Sequence, residues 1–267
     1  VEGAPKLLLR RLKSEKIQGL PRKIEHPLQR PMPPRQLDAY LRAVQQKHMV
    51  GEQAMLEMIQ NMRRVSLHPI LADGGLARGE VLDPSESARM AVTLEVLDRV
   101  AEQNEKALVF LESLDLQAAA QLPTILARRD GLKALPMIIN GGVGTQTRQD
   151  RVDRFQREAG FDVMLLSPKA GGVGLTLTAA NHVIHLSRWW NPAVEDQCSD
   201  LVYRIGQSKD VHIYYPMAVL PETPEQSFDL QLQLLMERKR ELARHLLAPP
   251  AFTREDYAGL RAGMLGR

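Results

Sequence analysis

A short apolar run that passes directly into a glycine-rich loop most constrains the fold of this chain. Residues 163–166 are all apolar, which is typical of a strand buried on both faces of a parallel sheet. Ser167 and Lys169 follow, and then the sequence GGVG at residues 171–174. Glycines let backbone N–H groups approach an anion, and a lysine adds a compact positive charge. The stretch therefore favours a phosphate-binding loop, although a tight strand-to-helix connection would use the same glycines.

A second apolar run, at residues 183–186, leads to the sequence WWNP at residues 189–192. The Asn-Pro pair is typical of the N-cap and the first position of a helix. We predict that this helix delivers Arg204 to a surface just before Gly206 ends it. A lone arginine near a helix end is more often a surface residue or a partner of the helix dipole, so Arg204 alone indicates no function.

Apolar strands alternate with helical segments from residue 107 to residue 218. We predict strands at residues 107–111, 134–139, 162–166, 182–186 and 211–218, and helices at residues 114–129, 147–159 and 192–203. This alternation predicts an α/β domain in which helices cover both faces of a parallel sheet. Ligands of such sheets gather at the carboxyl ends of the strands.

The segments on either side of this domain are mostly helical. Residues 20–36 contain five prolines, so we expect an extended segment that wraps over a surface. We predict helices at residues 7–12, 36–47, 54–66, 85–104 and 224–245 and a loop at residues 72–84, whereas the segment after residue 250 is uninformative. His68 has no cysteine or second histidine nearby, which favours a packing or capping role over metal binding.

Composition excludes several other classes of protein. The single cysteine, Cys198, allows neither an internal disulfide nor a cysteine-based zinc site, and it fits a reducing compartment. Without a run of 18 apolar residues or a signal-peptide pattern, we expect no membrane span and an intracellular location. Residues 1–35 hold nine Lys or Arg against three Glu, whereas the whole chain has a net charge of +3. This basic arm fits contact with a phosphate backbone or, alternatively, a solvated charged face.

The ordered combination of these motifs is far more specific than any one of them. SPKAGGVG resembles motif V, and QCSDLVYRIGQ resembles motif VI, of the second RecA-like lobe of the Swi/Snf-type family of superfamily-two helicases. KALVFLESLDLQ resembles motif IV of this family, and INGGVGTQTRQDRVDRF resembles motif IVa. The resemblance implies an ATP-driven translocase on double-stranded DNA, similar to chromatin remodellers, and the WWNP and RIGQ sequences argue against an RNA helicase of the same superfamily.

The resemblance also implies a division of the chain and a RecA-like α/β fold. We expect a basic inter-lobe linker at residues 1–35, a helical insertion at 36–84, the RecA-like lobe at 85–220 and a helical extension at 221–267. The helix at residues 224–245 resembles the brace-like helix that follows this lobe in the family.

Two sets of candidate site residues follow from the resemblance. The set expected to face ATP consists of Gly172, Gly174, Gln197, Asp200 and Arg204, with Arg204 as the arginine finger. The set expected to contact DNA phosphates consists of Ser113, Gly141, Arg148, Ser167, Lys169 and Gly171. Arg148 could instead brace its own loop or lie on a solvated face of its helix. For the two tryptophans of WWNP we favour a core or lobe-coupling role over base stacking.

Two elements of phosphoryl-transfer chemistry are missing from the sequence. No GxxxxGK[ST] phosphate cradle and no Asp-Glu-x-His box for Mg²⁺ are found, and in the family both belong to the first lobe. We therefore expect ATP and Mg²⁺ to be bound mainly by a first RecA-like lobe of the same polypeptide. We also expect that this chain does not hydrolyse ATP alone, and that the whole protein acts as a monomer in the nucleoid or cytoplasm of a bacterium or the nucleus of a eukaryote.

The sequence departs from the family pattern at two positions. Motif VI has two arginines three residues apart, but Leu201 replaces the first of them. Ser187 stands where many relatives carry aspartate. Leu201 leaves open an alternative function, a non-catalytic DNA- or protein-binding regulatory module derived from the lobe. The biological process, whether remodelling, repair, transcription or defence, is also left open.

Overall fold

A six-stranded parallel sheet organises the part of the chain that the computed structural model describes, which is residues 21–45, 52–72, 81–118, 121–128, 132, 134–169, 174–245 and 253–266. The strands are β1 (Lys23–Pro31), β2 (Lys106–Phe110), β3 (Met137–Ile139), β4 (Asp162–Leu166), β5 (His182–His185) and β6 (Val211–Val219). Their order across the sheet is β1-β6-β5-β2-β4-β3, and every pair of neighbours is parallel. The predicted parallel sheet is confirmed.

Helices cover the two faces of the sheet, and further helices form an apolar cluster of their own beside it. They are α1 (Pro34–Gln45), α2 (Glu52–Leu67), α3 (Ala88–Glu102), α4 (Leu114–Gln117), α5 (Leu122–Ala127), α6 (Thr145–Arg157), α7 (Pro192–Ser199), α8 (Phe228–His245) and α9 (Arg254–Met264). Short 3-10 helices lie at Pro69–Leu71, Pro84–Glu86 and Pro224–Gln226. The RecA-like arrangement with a helical insertion and a helical extension is as the resemblance implies.

Strand β2 shows how the two faces of the sheet are covered. Its side chains are fully buried and alternate between two apolar clusters. Ala107 and Val109 pack with residues of α3, α4 and α5 on one face. Leu108 and Phe110 pack with residues of α6 and α7 on the other face. This double burial explains why the strands appear in the sequence as continuous apolar runs.

A third apolar cluster joins the helical insertion to the C-terminal extension. It contains Tyr40, Met62, Phe228 and Met236, all of which are buried, and Met58 from the methionine-rich stripe of α2 packs against it. The Tyr40 hydroxyl accepts a hydrogen bond from the Phe228 N–H at 2.8 Å. His68 accepts from the Ile70 N–H and so caps the first 3-10 helix, which confirms its capping role.

The proline-rich segment before the insertion differs from the prediction. Its extended conformation is confirmed, but it forms the edge strand β1, paired in parallel with β6, instead of only wrapping over a surface. Proline lacks the N–H that a strand with two neighbours needs, and an edge strand has one neighbour. Pro27 lies in the middle of the strand, opposite Tyr215. The prolines therefore allow this segment to form a strand, but only at the edge of the sheet.

Two of the predicted helices have clearly different bounds. The single helix predicted at residues 114–129 is two short helices, because Pro123 begins a new helix near its own position. The helix predicted at 192–203 ends at Ser199. The terminal segment, which was uninformative as a sequence, contains α9, whose N-terminus has a capping box between Thr253 and Asp256. The helix predicted at residues 7–12 lies outside the described residues.

Candidate functional site

Several candidate DNA-contact residues follow the carboxyl ends of three neighbouring strands. Ser113 comes after β2, Gly141 after β3, and Ser167 and Lys169 after β4. The Ser113 hydroxyl caps α4 by accepting from the Leu116 N–H at 3.3 Å. The structure therefore brings these residues to one edge of the sheet, as the prediction from parallel strands requires.

A hydrogen-bonded chain of amides holds the loop after β3. The Asn140 side chain accepts from the Gly142 N–H at 3.0 Å and donates to the Gln117 side chain at 2.9 Å. Gln117 is buried and donates to the Leu111 carbonyl at the end of β2. The loop that follows β3 is thus tied to the loop that follows β2. Gln117 and Asn140 were not among the predicted site residues, because an isolated amide in a sequence carries no signal of a long-range partner.

Arg148 lies in the first turns of α6, directly after this loop. Its guanidinium donates to the Val143 carbonyl at 3.1 Å. This hydrogen bond corresponds to the bracing role, one of the alternatives that the sequence left open. Its Nε has no hydrogen-bond partner within the described part of the chain.

The candidate ATP-facing residues lie around a different part of the same loop system. Gly174 has φ of +70° and Gly206 has φ of +99°, conformations that favour glycine. Arg204 is exposed, and its guanidinium donates to the Leu175 carbonyl at 3.3 Å. The Leu177 N–H donates to the Leu201 carbonyl at 2.9 Å. The segment after α7 is therefore held against the loop that runs from β4 to β5. Gly171 and Gly172 lie outside the described residues.

Helix α7 presents the remaining candidates in different environments. Gln197 is exposed, whereas Asp200 is the C-cap residue and donates its backbone N–H to the Asp196 carbonyl. Leu201 is only 3% exposed and packs in the apolar cluster with Cys198. Position 201 therefore contributes packing, and the exposed arginine of this motif is Arg204.

Glu195, a residue that the sequence did not single out, is the centre of a buried charge network. Its carboxylate accepts from Arg188 at 2.8 Å, from the Trp189 N–H at 3.1 Å and from Arg240 at 3.0 Å. Arg240 also donates to Asp196 at 3.1 Å. The side chains of Glu195 and Arg188 are each 1% exposed. The network thus connects the loop after β5, helix α7 and helix α8.

The charges of this network compensate one another. Burial raises the pKa of the Glu195 carboxyl, but the charges of Arg188 and Arg240 and the hydrogen bond from Arg188 together outweigh burial and lower this pKa to about 2. His185, which is fully buried beside the network, has its pKa lowered to about 3 by burial. Glu195 is therefore charged and His185 neutral at physiological pH.

The two tryptophans lie between the helical insertion and the lobe. The Trp190 ring meets the Phe228 ring edge-on, with 6.3 Å between centroids. The Arg63 guanidinium stands 4.6 Å from the centroid of the Trp190 ring and donates to the Arg188 carbonyl at 3.0 Å. These contacts agree with the predicted core or coupling role and give no support to base stacking.

A cleft of about 350 Å³ borders this region at the ends of β2 and β5. Arg63, Arg89 and Glu112 are among its lining residues. Arg63 pairs with Glu112, and Arg89 pairs with the buried Asp229, so these two positive groups are already compensated. Among the described residues, no group of three or more His, Cys, Asp or Glu side chains could hold a metal ion.

The geometry agrees with what the chain resembles among known proteins. Residues 89–206 match the helicase conserved C-terminal domain family. The chain superimposes on the Sulfolobus solfataricus SWI2/SNF2 ATPase core domain with a TM-score of 0.67 and 26% identity, over 86% of this chain and 46% of that one. The chain belongs to the Swi/Snf family as a helicase C-terminal lobe.

Sequence comparison with curated relatives agrees with this Swi/Snf assignment. The chain is 34% identical to Zorya protein ZorD of Escherichia coli over 96% of its own length, and 34% identical to the putative ATP-dependent helicase/translocase YwqA of Bacillus subtilis over 86%. It is 33% identical to the DNA repair and recombination protein RAD26 of Saccharomyces cerevisiae over 78%. The chain spans about a quarter of the length of the first two and 20% of the third.

A further structural neighbour is the Sulfolobus SWI2/SNF2 ATPase core in complex with double-stranded DNA. Its TM-score is 0.66 at 26% identity, over 82% of this chain and 45% of that chain.

Among the described residues, no helix is both long and apolar enough to cross a membrane.

Proposed function

We propose that this Swi/Snf lobe is the second half of a motor that hydrolyses ATP and translocates on double-stranded DNA. The observation that carries the proposal is the position of Arg204, which is exposed and bonded to Leu175 beside Gly174. The loop that holds Arg204 begins at Ser167 and Lys169, at the strand ends where the candidate DNA contacts gather. One loop would thus connect a nucleotide-facing arginine to a DNA-facing surface.

Arg204 would act as an arginine finger on a nucleotide held mainly by a first RecA-like lobe of the same polypeptide. That lobe would supply the phosphate cradle and the carboxylate for Mg²⁺, which this sequence lacks. Gly174 would lie close to the nucleotide, and Gln197 and Asp200 would position the helix that leads to Arg204. A guanidinium at the transferred phosphoryl group stabilises the charge that develops there, an effect worth about 10³–10⁵-fold in rate where fingers have been removed.

The DNA contacts would be made to the phosphate backbone. Ser113, Gly141, Ser167 and Lys169 follow adjacent strand ends, and a solved neighbour of this chain is in complex with double-stranded DNA. The bracing bond of Arg148 would hold the loop of Gly141 in place. Contacts to phosphates carry no sequence information, so binding would be indifferent to sequence and sensitive to salt.

Hydrolysis of ATP by the two-lobed protein, with and without duplex DNA, tests this proposal. We expect duplex DNA to stimulate the parent, and Arg204→Ala to lower the stimulated kcat by about 10³-fold or more. Arg238→Ala, a change at an exposed arginine of α8, is the matched control and should retain the activity of the parent. An Arg204→Ala protein as active as the parent would remove the finger from the proposal.

A second function, a non-catalytic docking module, is favoured by the burial of Leu201 in an apolar cluster. Leu201 takes the place of the first arginine of the family pattern, so this position carries no charge. Salt-sensitive duplex binding without any hydrolysis in the parent would establish this alternative. If the parent hydrolyses ATP and Leu201→Arg raises the rate, the lobe belongs to a motor whose rate is reduced by Leu201. The unfolding temperatures of the parent and of Leu201→Arg control for the cost of burying the new charge.

A further inference from the structure

Arg240 is the residue through which the C-terminal helix α8 reaches the helix that precedes Arg204. Its Nη2 donates to Glu195 at 3.0 Å and its Nε donates to Asp196 at 3.1 Å. Its guanidinium also lies 5.9 Å from the centroid of the Tyr215 ring on β6. The side chain is only 17% exposed, so it bridges α8 and α7 in a largely dry environment.

The two bonds of Arg240 fix the rotation of α7 about its own axis. Neighbouring residues of an α-helix point about 100° apart, because one turn takes 3.6 residues. A single guanidinium that bonds both Glu195 and Asp196 therefore holds two directions on the helix surface at once. One contact alone would restrain the helix less. The other bonds of Glu195, from Arg188, and the buried Cys198 hold the side of the eight-residue helix that faces the lobe, whereas Arg240 holds it to α8.

The charges of the network give Arg240 a second effect. Arg188 and Arg240 balance Glu195 and Asp196, so the four side chains carry no net charge. Without Arg240, Arg188 would still neutralise Glu195 through its own two bonds. Asp196, whose side chain is 44% exposed, would then turn towards water. The helix would then be held only through its buried side, and it could rotate about that side because the bonds to α8 would be lost.

We propose that Arg240 is a positioning residue for Arg204, and that the C-terminal extension thereby sets the catalytic competence of the lobe. The inference rests on the proposed role of Arg204 as the finger. The end of α7 passes through Asp200 and Leu201 to Arg204, so a rotation of α7 moves the arginine directly. A displacement of about 1 Å in a reacting group can cost about 10²-fold in rate.

The test compares variants of the two-lobed protein in duplex-stimulated ATP hydrolysis. Arg240→Gln should lower kcat by about 10- to 100-fold, while KM for ATP and the affinity for duplex DNA stay within about threefold of the parent. Arg240→Lys should restore only part of the rate, because a lysine is a point charge and cannot bond both carboxylates in the geometry of a guanidinium. Arg238→Gln on the same helix is the matched control and should leave kcat unchanged.

The double variant Arg204→Ala/Arg240→Gln separates positioning from general destabilisation. If Arg240 acts through Arg204, the double variant should be no slower than Arg204→Ala alone. Amide hydrogen exchange of residues 197–204 should be faster in Arg240→Gln than in the parent. Asp196→Ala removes one of the two bonds, at a partly exposed carboxylate, so it should lower kcat by a smaller factor and serves if Arg240→Gln fails to fold.

Three outcomes would overturn the inference. The first is an Arg240→Gln protein that behaves like Arg238→Gln. The second is a rate loss that multiplies with that of Arg204→Ala, which would mean that Arg240 acts independently of the finger. The third is a parent without DNA-stimulated hydrolysis, or an Arg204→Ala protein as active as the parent, which removes the proposed function as well. Failure of the inference alone shows itself as an inactive Arg204→Ala protein beside a fully active Arg240→Gln protein.

Discussion

The buried ion pair between Arg89 of α3 and Asp229 of α8 offers a sharp test of how the C-terminal extension is held on the lobe. Their side chains are 3% and 0% exposed, and Arg89 Nε donates to Asp229 at 2.7 Å. Arg89 also donates to the Leu186 carbonyl at 3.1 Å, and Asp229 accepts from the Ala218 N–H at 2.7 Å. The pair therefore satisfies two backbone groups at the ends of β5 and β6.

Arg89→Met should destabilise the protein by about 3–5 kcal/mol, because it leaves the Asp229 carboxylate buried without a counter-charge. Arg89→Met combined with Asp229→Asn removes that charge and keeps an acceptor for the Ala218 N–H. The double variant should therefore lose only about 1–3 kcal/mol, mainly for the Leu186 carbonyl left without its donor. The distinctive expectation is that the double variant is more stable than Arg89→Met alone.

Urea unfolding followed by tryptophan fluorescence measures these differences, provided that the slope of free energy against urea stays constant. Arg30→Met is the control, because Arg30 pairs with Glu95 at the surface, where the two side chains are 37% and 54% exposed. Its loss should cost about 0–1 kcal/mol. If Arg89→Met costs no more than Arg30→Met, or if the double variant loses the sum of its single variants, the argument from buried charge is wrong.

Two further predictions concern pH and backbone conformation. Burial lowers the pKa of His185 to about 3, so as pH falls the unfolded chain binds a proton at this histidine before the folded chain does. The free energy of unfolding should therefore decrease below the ordinary histidine pKa of 6.5. Urea midpoints at pH 7.5 and 5.5 measure this decrease, which should be smaller in His185→Phe. Gly174→Ala should cost about 1 kcal/mol by unfolding, because φ of +70° strains a side chain although the space around it is open, and an unchanged midpoint would contradict this reasoning.

The parallel sheet could be predicted because its strands are buried on both faces. Double burial makes each strand a continuous apolar run, and such runs are visible in a sequence without knowledge of their partners. Strand β1 could not be predicted in this way. None of its residues is buried, and its prolines resemble those of a connecting segment until the pairing with β6 is seen.

The candidate site was predictable as far as it follows from local motifs. Ser113, Gly141 and Ser167 could be placed at strand ends, since strand ends are local features of a sequence. Glu195 was missed for the opposite reason, because its partner Arg240 lies 45 residues away. Charge pairs between distant segments leave no periodic pattern. The capping box at Thr253 was a visible signal of α9 that the sequence interpretation did not use.

Helix α8 connects these separate findings. Asp229 in its first turn holds Arg89 and the ends of β5 and β6, while Arg240 near its other end holds α7. The two contacts lie 11 residues apart, which in a helix is about 16 Å. The helix spans Phe228–His245, so it makes contact with the strand ends and with the helix that leads to Arg204 at once. The extension is therefore a structural part of the RecA-like lobe, and a change in its seating would be transmitted to the proposed finger without any change in the lobe's core.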